Sequence, residues 1–303
     1  MSVPTTQIAD HIGMIDNGLL GTAGFGATYV VRGDSVALLE TGTSLTAAAT
    51  LQGLEQLGIE RDAVEHILLT HVHMDHAGGA GVLAQALPNA SVYIHELTAP
   101  HLIDPARLLR SVERAVGPMW PMYGTVVPIV AERIRHANDL RLDLGRGIVL
   151  EAIATPGHSP DHLAFWDAHS GAMWSGDAIG IVMSTHHLPF AVTPPPAFDL
   201  PAQLATFERL AALPIRTLMP SHFGPTPSAP QAAIAEMHER LIALRDATRA
   251  GMAQAELPID QIVDQLLPTR RPLDPALDFV VRETIAMSVR GMKLYLERHP
   301  EAD

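Results

Sequence analysis

No cysteine occurs in the 303 residues. That excludes disulfides, thiolate nucleophiles and any metal site built on cysteine. Aromatic side chains are sparse at 5%, and no apolar run approaches the roughly 18 residues a membrane span requires. Cations are in deficit, with 20 Lys and Arg against 33 Asp and Glu and a formal net charge of −13. A surface for nucleic acid normally has the opposite balance, so a long polyanionic partner is disfavoured. The opening MSVPTTQIAD has neither a basic n-region nor an apolar h-region, so no secretory signal is expected and the cytoplasm is the expected compartment. The remaining composition, 47% hydrophobic, is that of a globular protein. What stands in excess is histidine, 16 in all, and its placement is the informative feature.

The first half of the chain alternates short strands and helices. Apolar stretches at 27–31 and 35–39, joined by Arg32-Gly33-Asp34, predict a hairpin. A helix capped by Ser44 carries Leu45, Ala48, Leu51, Leu54 and Leu57 at helical spacing and stops at Gly58. A buried strand at 64–69, a short helix at 78–87 and a strand at 91–94 follow. Residues 101–137 predict a helical insert or flap in which Met119, Trp120, Met122 and Tyr123 mainly pack the segment down. Strands are expected again at 139–144, 148–154, 162–166, 172–175 and 215–219, with a helix at 201–213.

Beyond Pro227 only helical patterns remain. One stripe runs through Ile234, Met237, Leu241 and Leu244, and another through Leu277, Val281, Ile285, Val289, Met292 and Leu296, with a short helix at about 259–267 between them. These stripes must bury against the main body or against a second subunit, which would make a homodimer. The order of elements implies an α/β layered fold, read as a main unit over 1–227 and a C-terminal helical extension over 228–303.

Directly after the 64–69 strand comes Thr70-His71-Val72-His73-Met74-Asp75-His76-Ala77. In extended chain alternate side chains share a face, so His71 and His73 point the same way. A turn at Met74-Asp75 swings Asp75 and His76 toward the same point. Imidazole and carboxylate donors at this density suit Zn²⁺, Fe²⁺ or Mn²⁺. Three imidazoles and a carboxylate at the end of a buried strand would be costly without a compensating partner. Single ligand-type residues recur after later strand-like runs, in Thr155-Pro156-Gly157-His158-Ser159, Ser175-Gly176-Asp177 and Pro220-Ser221-His222-Phe223-Gly224.

His-x-His-x-Asp-His followed in order by Gly-His, Gly-Asp and Ser-His resembles the metallo-β-lactamase superfamily, and within it the glyoxalase II and lactonase-type hydrolases. The resemblance covers residues 8–227 and implies an αβ/βα four-layer sandwich with a dinuclear metal centre, two Zn²⁺ in the first instance, at one edge. It assigns His71, His73 and His158 to one ion, Asp75, His76 and His222 to the second, and Asp177 to the bridge between them. Glu40 stands where the family usually has Asp, behind the metal loop. Two divalent ions roughly 3.5–4 Å apart share a water, ionise it near neutral pH and polarise the substrate oxygen. Asp75 would ligate and also orient the nucleophile or shuttle its proton.

The expected activity is therefore hydrolysis of a small ester, thioester or lactone. The competing readings are a mononuclear iron enzyme of the sulfur-dioxygenase kind and a hydrolase of small phosphoesters or phosphotriesters. His162 is expected behind the ligands rather than among them, and His186 and His187 as solvated residues of the loop after Asp177 rather than as pocket residues. Tyr123 is a candidate oxyanion donor. Arg290 and Lys293 are read as a solvated helix face rather than a clamp for an anionic substrate.

Overall fold

Period-two alternation along the strands builds two kinds of core from the same sequence. A computed structural model describes residues 2–183, 188–267 and 273–301. Its first sheet takes β1 (Thr5–Ala9), β2 (Ile12–Asp16), β3 (Ala27–Arg32), β4 (Val36–Leu39), β5 (Val64–Leu68), β6 (Ser91–Ile94) and β7 (Ile134–His136) in chain order. Strands β1 to β4 pair antiparallel, β3–β4 being the predicted hairpin, whereas β4 to β7 run parallel. Parallel neighbours need crossovers. These are supplied by α1 (Ala47–Gln56), by α2 (Met74–Ala77) with α3 (Ala80–Ala86), and by α4 (Pro100–Ile103) with α5 (Ala106–Val116).

The next strands, β8 (Arg141–Gly145), β9 (Ile148–Ala154), β10 (Leu163–Asp167) and β11 (Ala172–Gly176), make an antiparallel second sheet. β12 (Ile181–Met183) and β13 (Leu188–Phe190) pair as a separate ribbon. After α6 (Leu200–Ala211), β14 (Thr217–Pro220) joins the second sheet parallel to β11. The chain ends in α7 (Pro230–Gly251), α8 (Ile259–Leu266) and α9 (Pro275–Arg298).

Tyr29, Leu39, Leu68, Phe165, Trp174 and Met219 meet between the two sheets. Their strand neighbours Val30, Leu38 and Ile67 face the other way, into a core shared with α1 and α3. Trp166, Met173 and Leu218 face outward from the second sheet toward α6 and α7. The result is the expected helix–sheet–sheet–helix stack. Each such side chain contributes on the order of 1.5–3 kcal/mol by burial. The stripe of α9 divides between the outer cores, Val281 and Ile285 in one and Val289 and Met292 in the other.

The pattern of the sequence did not announce β1, β2, β7 or the β12–β13 ribbon. β2 holds Gly13 and Asp16 within its five residues and β1 is a polar, partly exposed edge, so neither presents an apolar run. The insert forms α4, α5 and a 3₁₀ segment over Gly117–Met122, but its last residues enter the sheet as β7. His186 and His187 lie outside the described residues. No described helix is long and apolar enough to cross a membrane.

Candidate metal centre

Four strand ends deliver the candidate ligands to one place. The chain leaving β5 carries His71 and His73 and turns at once into α2, whose single turn presents Asp75 and His76. His158 follows β9, Asp177 follows β11 immediately, and His222 follows β14. Gly176 is required where β11 hands over to Asp177, because its φ is +54° and a Cβ there would lie 2.7 Å from both His162 Nε2 and Thr70 Oγ1.

All seven predicted side chains fall in one cluster. His73 Nδ1 lies 2.8 Å from His71 Nε2 and 3.0 Å from His158 Nε2. Asp177 Oδ2 is 3.4 Å from His76 Nε2 and 3.5 Å from His158 Nε2, and its Oδ1 is 3.5 Å from His222 Nε2. Asp75 Oδ2 sits 3.7 Å from the Nε2 atoms of both His76 and His222. Ligand atoms of His71, His73 and His158 lie within 4.8 Å of one another, as do those of His71, His76 and Asp177 and those of Asp75, His76 and His222. His71, His76, His158, Asp177 and His222 are all buried.

The far side of each ring fixes which nitrogen faces the cluster. His222 Nδ1 donates to the Phe25 carbonyl at 3.0 Å and His158 Nδ1 to the Val192 carbonyl at 3.3 Å, which leaves Nε2 as the free lone pair in both. Thr70 donates its hydroxyl proton to Glu40 Oε1 at 2.6 Å, so it accepts from His71 Nδ1 at 3.0 Å. Glu40 Oε1 also accepts from Ser221 at 2.8 Å and lies 3.3 Å from His76 Nδ1. One buried carboxylate thus stands behind His71, His76 and the segment carrying His222. It does so from a left-handed backbone, φ 68°, a conformation that costs a non-glycine residue roughly 1 kcal/mol or more. The extra methylene of Glu relative to Asp is accommodated.

His162 is not in the cluster but behind it, as expected. The Asp177 N–H donates to its Nε2 at 3.0 Å, so the proton sits on Nδ1 and is given to Thr155 Oγ1 at 2.8 Å. Asp161 was not anticipated. It accepts from the Val72 N–H at 2.9 Å and from the Thr98 hydroxyl at 2.8 Å, tying the histidine loop to the segment after β6 across a sequence separation that no local pattern betrays.

Burial holds His71 and His158 well below the usual imidazole range, and neighbouring imidazoles reinforce this for His71. Burial also opposes charge on His76, but the carboxylates of Asp177, Asp75 and Glu40 outweigh it and hold His76 well above that range. Asp177 is held well below the carboxylate range, burial being overcome by His76, His222 and His158. The cluster therefore favours positive charge at its centre. His76 Nε2, His222 Nε2 and Asp177 Oδ1 are buried, have no hydrogen-bond partner and face one another. Buried polar atoms without partners that converge on one point are costly unless a cation occupies it, a place that on His76 the proton otherwise takes. The donor set of imidazole nitrogen and carboxylate oxygen fits divalent zinc, iron or manganese.

The cluster forms the floor of a cleft of about 420 Å³. Leu108 and Val112 of α5, Tyr123, Ile181, Val192 and Met287 of α9 line its walls. Tyr123, from the insert, is buried there, while Met119 packs into the core as expected. Burial, followed by the charges of Asp75 and Asp177, keeps the Tyr123 phenol protonated well above its ordinary range. Arg290 is exposed and Lys293 pairs with Glu297, and neither lines the cleft.

A family model described as the metallo-beta-lactamase superfamily matches residues 21–222. The chain is 34% identical over 152 residues to the uncharacterized protein YobT of Bacillus subtilis, covering 50% of this chain and 60% of that one. It is 28% identical over 155 residues to the thioesterase pkgB of Emericella nidulans, covering 50% of this chain and 35% of that one. The match thus spans less than two thirds of either relative. Among solved structures, the archaeal metallo-beta-lactamase superfamily protein ST1585 of Sulfolobus tokodaii superposes with a TM-score of 0.72 at 18% identity, covering 94% of this chain and 99% of that one. The family model begins before the first sheet is complete and ends on His222, so that it encloses every side chain of the cluster; by that match and by its layered sheets, the chain belongs to the metallo-β-lactamase superfamily.

Proposed function

We propose that the chain is a metal-dependent hydrolase of small carboxylic acid derivatives, namely esters, thioesters or lactones. The observation that carries this reading is the convergence of five imidazoles and two carboxylates, with unpartnered buried polar atoms among them, on the floor of an apolar cleft. His71, His73 and His158 would hold one ion, Asp75, His76 and His222 the other, with Asp177 between them. Such ions supply an ionised water near neutral pH and polarise a carbonyl oxygen.

The chain's own groups complete the chemistry. Asp75 is the ligand carboxylate with the more exposed side chain, 19% against 4% for Asp177, so its oxygens can take a proton from the nucleophile and pass it outward. The Tyr123 hydroxyl, kept protonated, is a donor for the oxygen on which charge develops. The apolar walls exclude competing water. The thioesterase name of pkgB supports a thioester among the substrates.

The test is metal content by mass spectrometry on protein purified without added metal, followed by turnover of ester, thioester, lactone and phosphoester substrates. The expected result is about two divalent ions per chain, as dinuclear hydrolytic sites hold, and turnover of carboxylic substrates. His73→Ala and Asp177→Asn should each lower occupancy and turnover by orders of magnitude. One iron per chain with oxygen uptake and no hydrolysis would overturn the reading in favour of an oxygenase. Selective phosphoester turnover would replace the substrate class.

A further inference from the structure

The cleft is apolar along its walls but not uniformly neutral. Its carboxylates lie at the floor: Asp75 and Asp177 in the cluster, and Asp161 held by Val72 and Thr98. No other Asp or Glu lines it among the described residues. Arg107, in the first turn of α5, also lines it. The helix places Arg107, Ser111 and Ala115 on one cleft-facing row beside the buried row of Leu108, Val112 and Val116. Arg107 is exposed and has no ion pair or side-chain hydrogen bond among the described residues. Several arginines of this acidic chain find carboxylates, as Arg61 does Glu55, Arg146 Asp34, Arg240 Glu236 and Arg282 Asp264. Arg107, like Arg110 and Arg114 of the same helix, has none among the described residues, and of these three Arg107 is the one that lines the cleft. At the start of α5 the Asp104 carboxylate accepts from the Ala106 N–H at 3.1 Å and offsets the positive end of the helix, so the guanidinium is the cationic group this helix offers the cleft.

Resting on the hydrolase reading above, we propose that the substrate has an apolar body and carries an anionic group, carboxylate or phosphate, remote from the scissile bond, which Arg107 captures at the cleft wall. The aliphatic body lies along Leu108, Val112 and Met287. A guanidinium donates in a fixed fork that matches both anions, and its stem lies against apolar surface without penalty.

The experiment compares matched substrates on the metal-loaded protein. One arm sets monomethyl suberate against dimethyl suberate, which places a carboxylate on the acyl end. The other sets octanoyl-coenzyme A against octanoyl-N-acetylcysteamine, which places phosphates on the leaving thiol. The arm that shows the preference identifies the source of the anion. The expected preference in kcat/KM is about tenfold, the size of one charge-assisted hydrogen bond, and it should shrink as salt rises from about 0.02 to about 0.5 M. In Arg107→Met the ratio should fall to near one. Arg107→Lys should retain part of it, and Arg110→Met, which removes the same charge from a position outside the cleft, should retain all of it. Equal rates within both pairs, or a preference that survives Arg107→Met, would overturn the proposal. Should no ester or thioester turn over, the same pairs are titrated calorimetrically as ligands. Binding that favours the anionic member and depends on Arg107 would then sustain the anion site while the hydrolase reading falls.

Discussion

Glu40 and His162 each act on the cluster without belonging to it, and each makes a distinct expectation at the scale of one residue. Glu40 Oε1 accepts from Thr70 and Ser221 and faces His76 Nδ1, so its negative charge orients three ligand-bearing segments. Glu40→Gln keeps the shape and an acceptor but removes the charge. Metal affinity, measured by competition with a chromophoric chelator, should fall roughly 10- to 100-fold, as for other groups that hold ligands from behind. Unchanged affinity would show that hydrogen-bond geometry alone suffices.

His162 makes its prediction through pH. Burial, partly offset by Asp177 and Asp161, pushes its pKa down to about 4. In the unfolded chain an imidazole takes its proton near pH 6.5. Between those values the unfolded state holds a proton that the folded state refuses. Stability from this residue is therefore complete above pH 6.5 and drains as the pH falls to about 4, by about 3 kcal/mol in all. Urea midpoints of metal-free protein should drop across that window by more in the wild type than in His162→Gln. Parallel profiles would assign the acid sensitivity to other groups.

At the scale of elements, α9 is coupled to the cluster through the segment after β13. Thr193 donates its hydroxyl to the Ser288 carbonyl at 2.6 Å, and Val192 next to it receives the His158 Nδ1 proton. Gly291 lets the Thr193 and Pro195 backbone lie against the helix, where any Cβ would collide with it. Gly291→Ala should push the segment away, destabilise the protein by about 1–3 kcal/mol as overpacking does, and weaken metal retention through His158. Thermal melts with and without metal measure both effects. A destabilisation that leaves metal affinity unaltered would separate the helix from the site.

Over the whole molecule, what the sequence made legible was what it wrote locally. His71 to His76 are packed into six positions, and the stripes of α7 and α9 repeat at helical spacing, so both could be read directly. The short apolar runs that became β4 and β10 were equally plain, although both strands are buried along their whole length. The order of the later single ligands pointed to the cluster only through their recurrence at strand ends and through family resemblance. The supporting contacts were illegible, because Asp161 meets Val72 from 89 positions away and Ser221 meets Glu40 from 181. No local period marks such pairs. β2 was missed because Gly13 and Asp16 break its apolar run within five residues, and Arg107 because one arginine in a helix is distinguished only by the wall it lines.

That wall has a consequence for how this chain could acquire new chemistry. The floor of the cleft is locked by strand ends and by hydrogen bonds that cross the sandwich. The segment after β13 is bound to a ligand ring, whereas the cleft-facing row of α5 touches no ligand through any described hydrogen bond. Diversification confined to positions 107, 111 and 115 would alter which molecules are admitted while sparing the machinery that acts on them. Selectivity and reactivity are thereby inherited on separate segments, and this helix is where evolution in the laboratory has the freest hand.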